Sequence, residues 1–163
     1  MNYIFLDIVG VLNNQIDWLW KVNNGQRDNR MFCDDAWSRL SQVVHETGAK
    51  IVLSSSWRLA FQNTPKGLEI IGKKDGYAMR LTHYFEEYDI PVVGRTTEYY
   101  DYRGKQITQY VKEHFSSDDK WVVLDDEVCD MYGIPEAQII KTEFETGLLP
   151  EHCERIVEYF RGE

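Results

Sequence analysis

Tyr3-Ile4-Phe5-Leu6-Asp7-Ile8-Val9-Gly10-Val11-Leu12-Asn13 is the stretch that decides the fold. It is an apolar run that delivers one carboxylate, followed by a glycine where the backbone must turn. Such a run reads as a buried parallel strand over residues 2–7 whose carboxyl end opens into a loop, where α/β proteins place their ligands. Taken alone, Asp7 is equally well a solvated turn residue after a core strand. Its meaning depends on what stands at the other strand ends.

Working outward, residues 13–33 are polar with little periodicity and read as a small flap, in which Trp18 and Trp20 either pack against the core edge or stack on substrate. Ala36, Trp37, Leu40, Val43 and Val44 then recur at helical spacing between the Asp34-Asp35 pair, which suits a helix start, and Gly48, which suits a stop. Residues 50–53 form a second buried strand that ends in Ser54-Ser55-Ser56-Trp57-Arg58. Pro65, Gly67, Gly72 and Gly76 break residues 59–76, with a short helix expected at 68–71. A helix is expected over 77–88 and a third strand over 90–94. A tyrosine-rich loop at 98–102 leads through Arg103-Gly104-Lys105 into a helix marked by Ile107, Tyr110, Val111 and Phe115.

Residues 121–124 form the fourth strand, closed by Asp125-Asp126-Glu127 with Asp130 four residues after Asp126. Residues 138–141 form the fifth, and Pro150 opens a last helix with Cys153, Ile156, Val157 and Phe160 on its face. Strands alternate with helices throughout. The expected fold is therefore α/β, a three-layer sandwich around a mainly parallel, Rossmann-like five-stranded sheet with right-handed crossovers. Its 163 residues suit one domain, 1–163, with no internal repeat or linker.

A net charge of −9 argues against an extended nucleic-acid surface, because phosphate-backbone affinity comes from clustered Lys and Arg. Cys33, Cys129 and Cys153 are odd in number and widely spaced, which suggests neither a disulfide framework nor a thiolate zinc site and fits a reducing compartment. With no charged leader before an apolar segment and no run of roughly 18 apolar residues, the expectation is a soluble, cytoplasmic protein with no membrane partner.

In an open parallel sheet, Asp7, the serines at 54–56 and the carboxylates at 125–130 share one edge. Carboxylates crowd together at low cost only around a cation, and an oxygen-only set favours Mg²⁺. A divalent ion there binds a phosphoryl oxygen, while serine hydroxyls, backbone N–H groups and one Lys or Arg neutralise the others. Asp7 is then free to attack phosphorus and form an aspartyl-phosphate. The competing reading of the acidic run is a solvated helix start favoured by capping and dipole effects.

Phe5-Leu6-Asp7-x-x-Gly10-Val11-Leu12, Val52-Leu53-Ser54-Ser55, a basic residue at Arg103 or Lys105, and Leu124-Asp125-Asp126-x-x-x-Asp130 together resemble the four ordered motifs of the haloacid dehalogenase superfamily of phosphohydrolases. The match runs from residue 3 to about residue 130. Ser55-Ser56-Trp57-Arg58 and Arg103-Gly104-x-x-Ile107 are similar to small members related to nucleic-acid-repair and nucleotide phosphatases. The resemblance implies Asp7 as nucleophile and Mg²⁺ ligand, Ser54 or Ser55 on the transferring phosphoryl group, and Arg103 or Lys105 stabilising its charge. It implies Asp126 and Asp130 as further metal-site carboxylates with Asp125 a close rival, the Val9 backbone carbonyl as a metal ligand, and Gly10 and Arg58 at the substrate. For Arg58 the alternative is a surface ion pair.

The departure is Val9. In the family's phosphatases the residue two after the nucleophile is usually a second Asp, which protonates the leaving oxygen and later activates water. Valine does neither, so general acid–base assistance worth roughly 10²–10⁴-fold is missing. Three accounts fit: a slow or degenerate phosphatase, a substrate with a good leaving group such as a phosphoanhydride, or an introduced substitution of Asp. The expected function is a Mg²⁺-dependent phosphatase acting on a phosphorylated small molecule, a nucleotide or a nucleic-acid end, in a site with no room for a large cap. The alternatives are a non-catalytic phosphate- or nucleotide-binding module and a phosphotransferase. Oligomeric state is not legible.

Overall fold

The computed structural model describes residues 1–26, 31–71 and 76–163. Residues 27–30 of the expected flap and the expected break at Gly72 lie outside the described residues.

Five strands make one parallel sheet: β1 (Asn2–Leu6), β2 (Lys50–Leu53), β5 (Val92–Arg95), β6 (Lys120–Asp125) and β7 (Ile139–Lys141), in the order β5-β2-β1-β6-β7. All four neighbouring pairs run parallel. The central strand β1 alternates its side chains between two cores. Ile4 and Leu6 face a core with Trp37, Leu40, Leu53 and Leu81, whereas Tyr3 and Phe5 face one with Val52, Ile107, Tyr110 and Val123. Because both faces are buried, the strand reads as a continuous apolar run, and sealing a side chain such as Phe5 or Leu6 completely contributes about 1.5–3 kcal/mol.

Helices α2 (Asp34–Thr47), α3 (Gly76–Glu87) and α5 (Pro150–Arg161) supply the first core, and α4 (Arg103–His114) supplies the second. This is the three-layer α/β sandwich the alternation predicts. Helix α2 ends where expected, at Gly48 with φ 64°, a left-handed value that glycine adopts without side-chain strain. No helix among the described residues is long and apolar enough to cross a membrane.

Two segments differ from the sequence expectation. Residues 68–71 are not helical. Strand β3 (Phe61–Thr64) and strand β4 (Gly67–Ile70) form an antiparallel hairpin, with Leu68 and Ile70 packed on the core and Glu69 turned to water. That alternation has period two, and the Thr64 hydroxyl donating to the Gly67 carbonyl at 3.0 Å closes the turn. The hairpin braces β5, since the Asn63 amide exchanges hydrogen bonds with the backbone of Arg95.

The flap, in turn, contains a helix, α1 (Gln15–Asn23), capped by the Asn14 side chain accepting from the Asp17 N–H. Its periodicity is hidden because its polarity is inverted. Lys21 is its buried residue, with the ammonium on the Phe32 carbonyl at 2.6 Å and on Asp17 at 2.8 Å, while Ile16, Trp18, Leu19 and Trp20 are exposed. The two tryptophans therefore do not pack into the core edge.

Candidate active site

The parallel register carries on one residue past the strand ends and lines up the polar groups there. Asp7 N–H donates to Leu124 O at 3.0 Å, Ser54 N–H to Leu6 O at 2.9 Å, Thr96 N–H to Leu53 O at 3.0 Å and Thr142 N–H to Asp125 O at 3.0 Å. Each residue following a strand is thus fixed by its neighbour. Asp7, Ser54 and Asp125 consequently stand along one edge of the sheet, as expected for three parallel strand ends.

Three carboxylates converge at that edge. Oxygen atoms of Asp7, Asp125 and Asp126 all lie within 4.8 Å of one another. Asp7 and Asp125 are buried and Asp126 is half-buried. Burial is the main cause raising Asp7 to about 6, where hydrogen bonds from the Ile8 backbone and the Ser55 side chain and the nearby Arg103 charge act against it. Burial and then the Asp7 charge raise Asp125 to about 7, opposed by Arg103. Arg103 stays protonated because Asp125 and Asp130 more than offset the cost of its own burial. The guanidinium lies directly on Asp125 and Ser55 hydrogen-bonds Asp7, yet burial keeps both carboxyls above their usual range. The set is oxygen-only and carries more negative charge than one arginine balances, which suits a hard divalent cation such as Mg²⁺.

Gly10 makes this convergence possible. Its φ of 77° lies in the left-handed region, and a Cβ there would come within 2.3 Å of Asp126 Oδ2. The loop is held from both sides: Gly10 N–H donates to Asn13 Oδ1 at 3.0 Å, and the Thr142 hydroxyl donates to the Gly10 carbonyl at 2.7 Å. Thr142 is fully buried directly after β7. Sequence reasoning passed over it, although it follows a strand just as Asp7 and Ser54 do.

The two serines differ. Ser55 hydrogen-bonds Asp7 and accepts from the Trp57 N–H at 3.2 Å. The Ser54 hydroxyl is buried with no hydrogen-bond partner among the described residues. A buried hydroxyl without a partner costs about 1–3 kcal/mol, which marks it as a group with a ligand to meet. Behind both serines lies Arg58, which is buried rather than on a surface ion pair. It donates to the carbonyls of Ser54 at 3.2 Å and Ser55 at 2.9 Å, and to Gln106 Oε1 at 3.0 Å. Gln106, unmarked in the sequence, joins α4 to the serine loop through that contact.

Arg103 and Lys105 are also separated. Arg103 Nη1 meets Asp125 Oδ2 at 2.5 Å, its Nε meets Asp130 at 3.1 Å and its Nη2 meets the Glu127 carbonyl at 2.6 Å. Lys105 is exposed, with its ammonium 4.9 Å from the centre of the Tyr100 ring. Asp130 stands with Arg103 rather than in the three-carboxylate group: it accepts from both the backbone and the side chain of Arg103. Val9 is 37% exposed at the lip of the loop.

Comparison with protein families matches residues 3–153 to the HAD domain in Swiss Army Knife RNA repair proteins. Neither the curated proteins nor the solved structures include a match to this chain. The matched span runs from β1 into the first turn of α5, and so contains every strand end described above. The chain belongs to the haloacid dehalogenase superfamily, in the family of HAD domains found in Swiss Army Knife RNA repair proteins.

Proposed function

We propose that the protein is a Mg²⁺-dependent phosphatase that transfers the terminal phosphate of a nucleic-acid end or nucleotide to Asp7. The observation that carries this reading is the meeting of Asp7, Asp125 and Asp126 within 4.8 Å at the edge where the Ser54 hydroxyl stands buried without a partner among the described residues. The family's link to RNA repair supports a phosphorylated nucleic-acid end as substrate.

Asp7, Asp126 and Asp125 would hold the cation together with the Val9 carbonyl, and Asp130 would act through Arg103. Bound there, Mg²⁺ supplies positive charge to the carboxylates and to a phosphoryl oxygen. An Asp7 oxygen forms a bond to phosphorus as the phosphorus–oxygen bond to the leaving group breaks. The Ser54 hydroxyl donates to a phosphoryl oxygen, and the Ser55 hydroxyl orients Asp7. Arg103 neutralises Asp125, which keeps negative charge from accumulating beside the incoming phosphate. Water then releases phosphate and restores Asp7.

Val9 offers no proton to the leaving oxygen and no base to that water. The reading therefore carries a specific expectation: slow release with ordinary esters from this chain, and a gain of about 10²–10⁴-fold on Val9→Asp. The assay is phosphate release from 5′- and 3′-phosphorylated nucleotides and oligonucleotides in Mg²⁺. A Val9→Asp protein as inert as the parent across that panel removes the hydrolase reading. The Val9 side chain itself favours a second reading, a phosphate- or nucleotide-binding module without turnover. It predicts Mg²⁺-dependent nucleotide binding by calorimetry and no gain from Val9→Asp.

A further inference from the structure

A cavity of about 580 Å³ opens beside the acidic edge, walled by Val9, Asn13, Trp18, Leu19, Arg80 and Phe144 among others. Its size lies within the roughly 300–1,000 Å³ common for small-ligand sites. We propose that it seats the nucleobase of the terminal nucleotide, with Trp18 as the stacking surface; the assignment rests on the phosphate chemistry proposed for Asp7.

Helix α1 gives the first argument. A helix that serves the core buries its apolar face, yet α1 buries Lys21 and leaves Trp18 and Leu19 exposed on the cavity wall. Exposed apolar side chains gathered around a hollow mark a binding surface. The wall is also fixed in advance. Gln15 N–H donates to Phe144 O at 3.2 Å and Ile16 N–H to Glu145 O at 3.1 Å, while Lys21 anchors the helix through the Phe32 carbonyl. Trp18 is therefore held in place without being used by the core.

The lining chemistry gives the second. In a chain of net charge −9, none of the described residues around this cavity is acidic. It offers an indole, a phenyl ring, aliphatic surface, the amides of Asn13, Asn14 and Gln15, and the Arg80 guanidinium. Stacking faces with amides at the edge and a cation nearby fit a heteroaromatic base, because every base has a π-face and hydrogen-bonding edges.

Continuity with the reacting edge gives the third and chooses the occupant. Val9 belongs both to the loop that follows Asp7 and to the cavity wall, with its side chain exposed there. A phosphate brought to Asp7 thus has this hollow beside it to receive the rest of the nucleotide. A peptide partner uses the same apolar surface with no need of that adjacency.

The test is calorimetric titration of the full chain, in Mg²⁺, with adenosine 5′- and 3′-monophosphate and with ribose 5-phosphate. One mononucleotide should bind at least about tenfold more tightly than the sugar phosphate. Trp18→Ala and Phe144→Ala should each erode that advantage and leave ribose 5-phosphate binding unchanged. Trp20→Ala, on the same helix but outside the cavity, should leave it intact. Equal affinity for mononucleotides and ribose 5-phosphate, or an advantage that survives Trp18→Ala, overturns the base site. An inert Val9→Asp protein with the binding pattern intact removes the hydrolase and supports the base site. Equal affinities with active Val9→Asp overturn the base site alone.

Discussion

Arg103 Nη1 and Asp125 Oδ2 lie 2.5 Å apart, joining the first residue of α4 to the last residue of β6. Asp125 is completely buried, and the side chain of Arg103 is 18% exposed. The same guanidinium holds Asp130 and the Glu127 carbonyl, so one side chain ties three points of the acidic loop to one helix end. Without it, Asp125 would be a buried carboxyl beside Asp7 that has lost its cationic partner.

Arg103→Ala should therefore destabilise the metal-free protein by about 3–5 kcal/mol at neutral pH, the cost of leaving one partner of a buried pair. Urea unfolding measures it. Arg103→Lys keeps the charge but lacks the planar fork that spans Asp125 and Asp130, and should recover only part of the loss. A lysine variant as stable as the parent would show that charge alone matters.

Gly10→Ala tests whether the close approach of the loop to Asp126 is required. The added Cβ meets the Asp126 carboxylate at 2.3 Å and sits on a residue with φ 77°, so either the loop or Asp126 must shift. The left-handed backbone alone costs about 1–2 kcal/mol. The expected outcome is a fall in stability of that size and a larger fall in Mg²⁺ affinity, read by calorimetry. Unchanged Mg²⁺ affinity would separate Asp126 from the metal site.

Arg58 is buried rather than on a surface ion pair, and its environment makes a distinct prediction. Its two terminal guanidinium nitrogens donate to the carbonyls of Ser54 and Ser55 and to Gln106. Arg58→Met keeps the side-chain stem and removes the donors, leaving buried acceptors unpaired at about 1–3 kcal/mol each before relaxation. Gln106→Leu should cost less, because Arg58 keeps its two serine carbonyls. If Arg58→Met lowers only substrate affinity and leaves stability unchanged, the residue is a substrate contact after all.

How much was legible follows from where each residue gets its partners. The five strands are readable because parallel strands buried on both faces give unbroken apolar runs, and Asp7, Ser54 and Asp125 are readable as the polar residues that end such runs. Helix α1 is not, since its exposed face is apolar and its buried residue is Lys21. The β3–β4 hairpin is hidden because its strands are largely exposed or half-buried and give no apolar run. The resemblance pairs Asp130 with Asp126, whereas its hydrogen-bond partner Arg103 stands 27 positions away and no local pattern shows that contact. The Arg58–Gln106 contact spans 48 positions, and no local pattern announces it.

The crowded carboxylates should make stability fall with rising pH when no metal is present. Burial first, with a smaller push from the Asp126 charge, puts Asp7 at about 6, and burial and then the Asp7 charge put Asp125 at about 7, above the usual 3.8. Between roughly pH 4 and pH 7 the folded state thus keeps protons that the unfolded chain has released. The stabilisation from these groups is complete below about pH 4 and is lost as pH rises through 6 and 7. Asp7→Asn removes one of the two charges, so at pH 8 without Mg²⁺ the variant should be more stable than the parent by on the order of 1–3 kcal/mol. The gap should close by about pH 4, where the parent's Asp7 is already neutral. Added Mg²⁺ at pH 8 should raise the parent's Tm more than the variant's, because the cation relieves in the parent the repulsion that the substitution has already removed. Thermal unfolding of both proteins across pH 4–8, with and without Mg²⁺, measures all three differences. A stability gap constant with pH would mean that Asp7 is ionised throughout the range and that packing, rather than charge, sets the effect of the substitution.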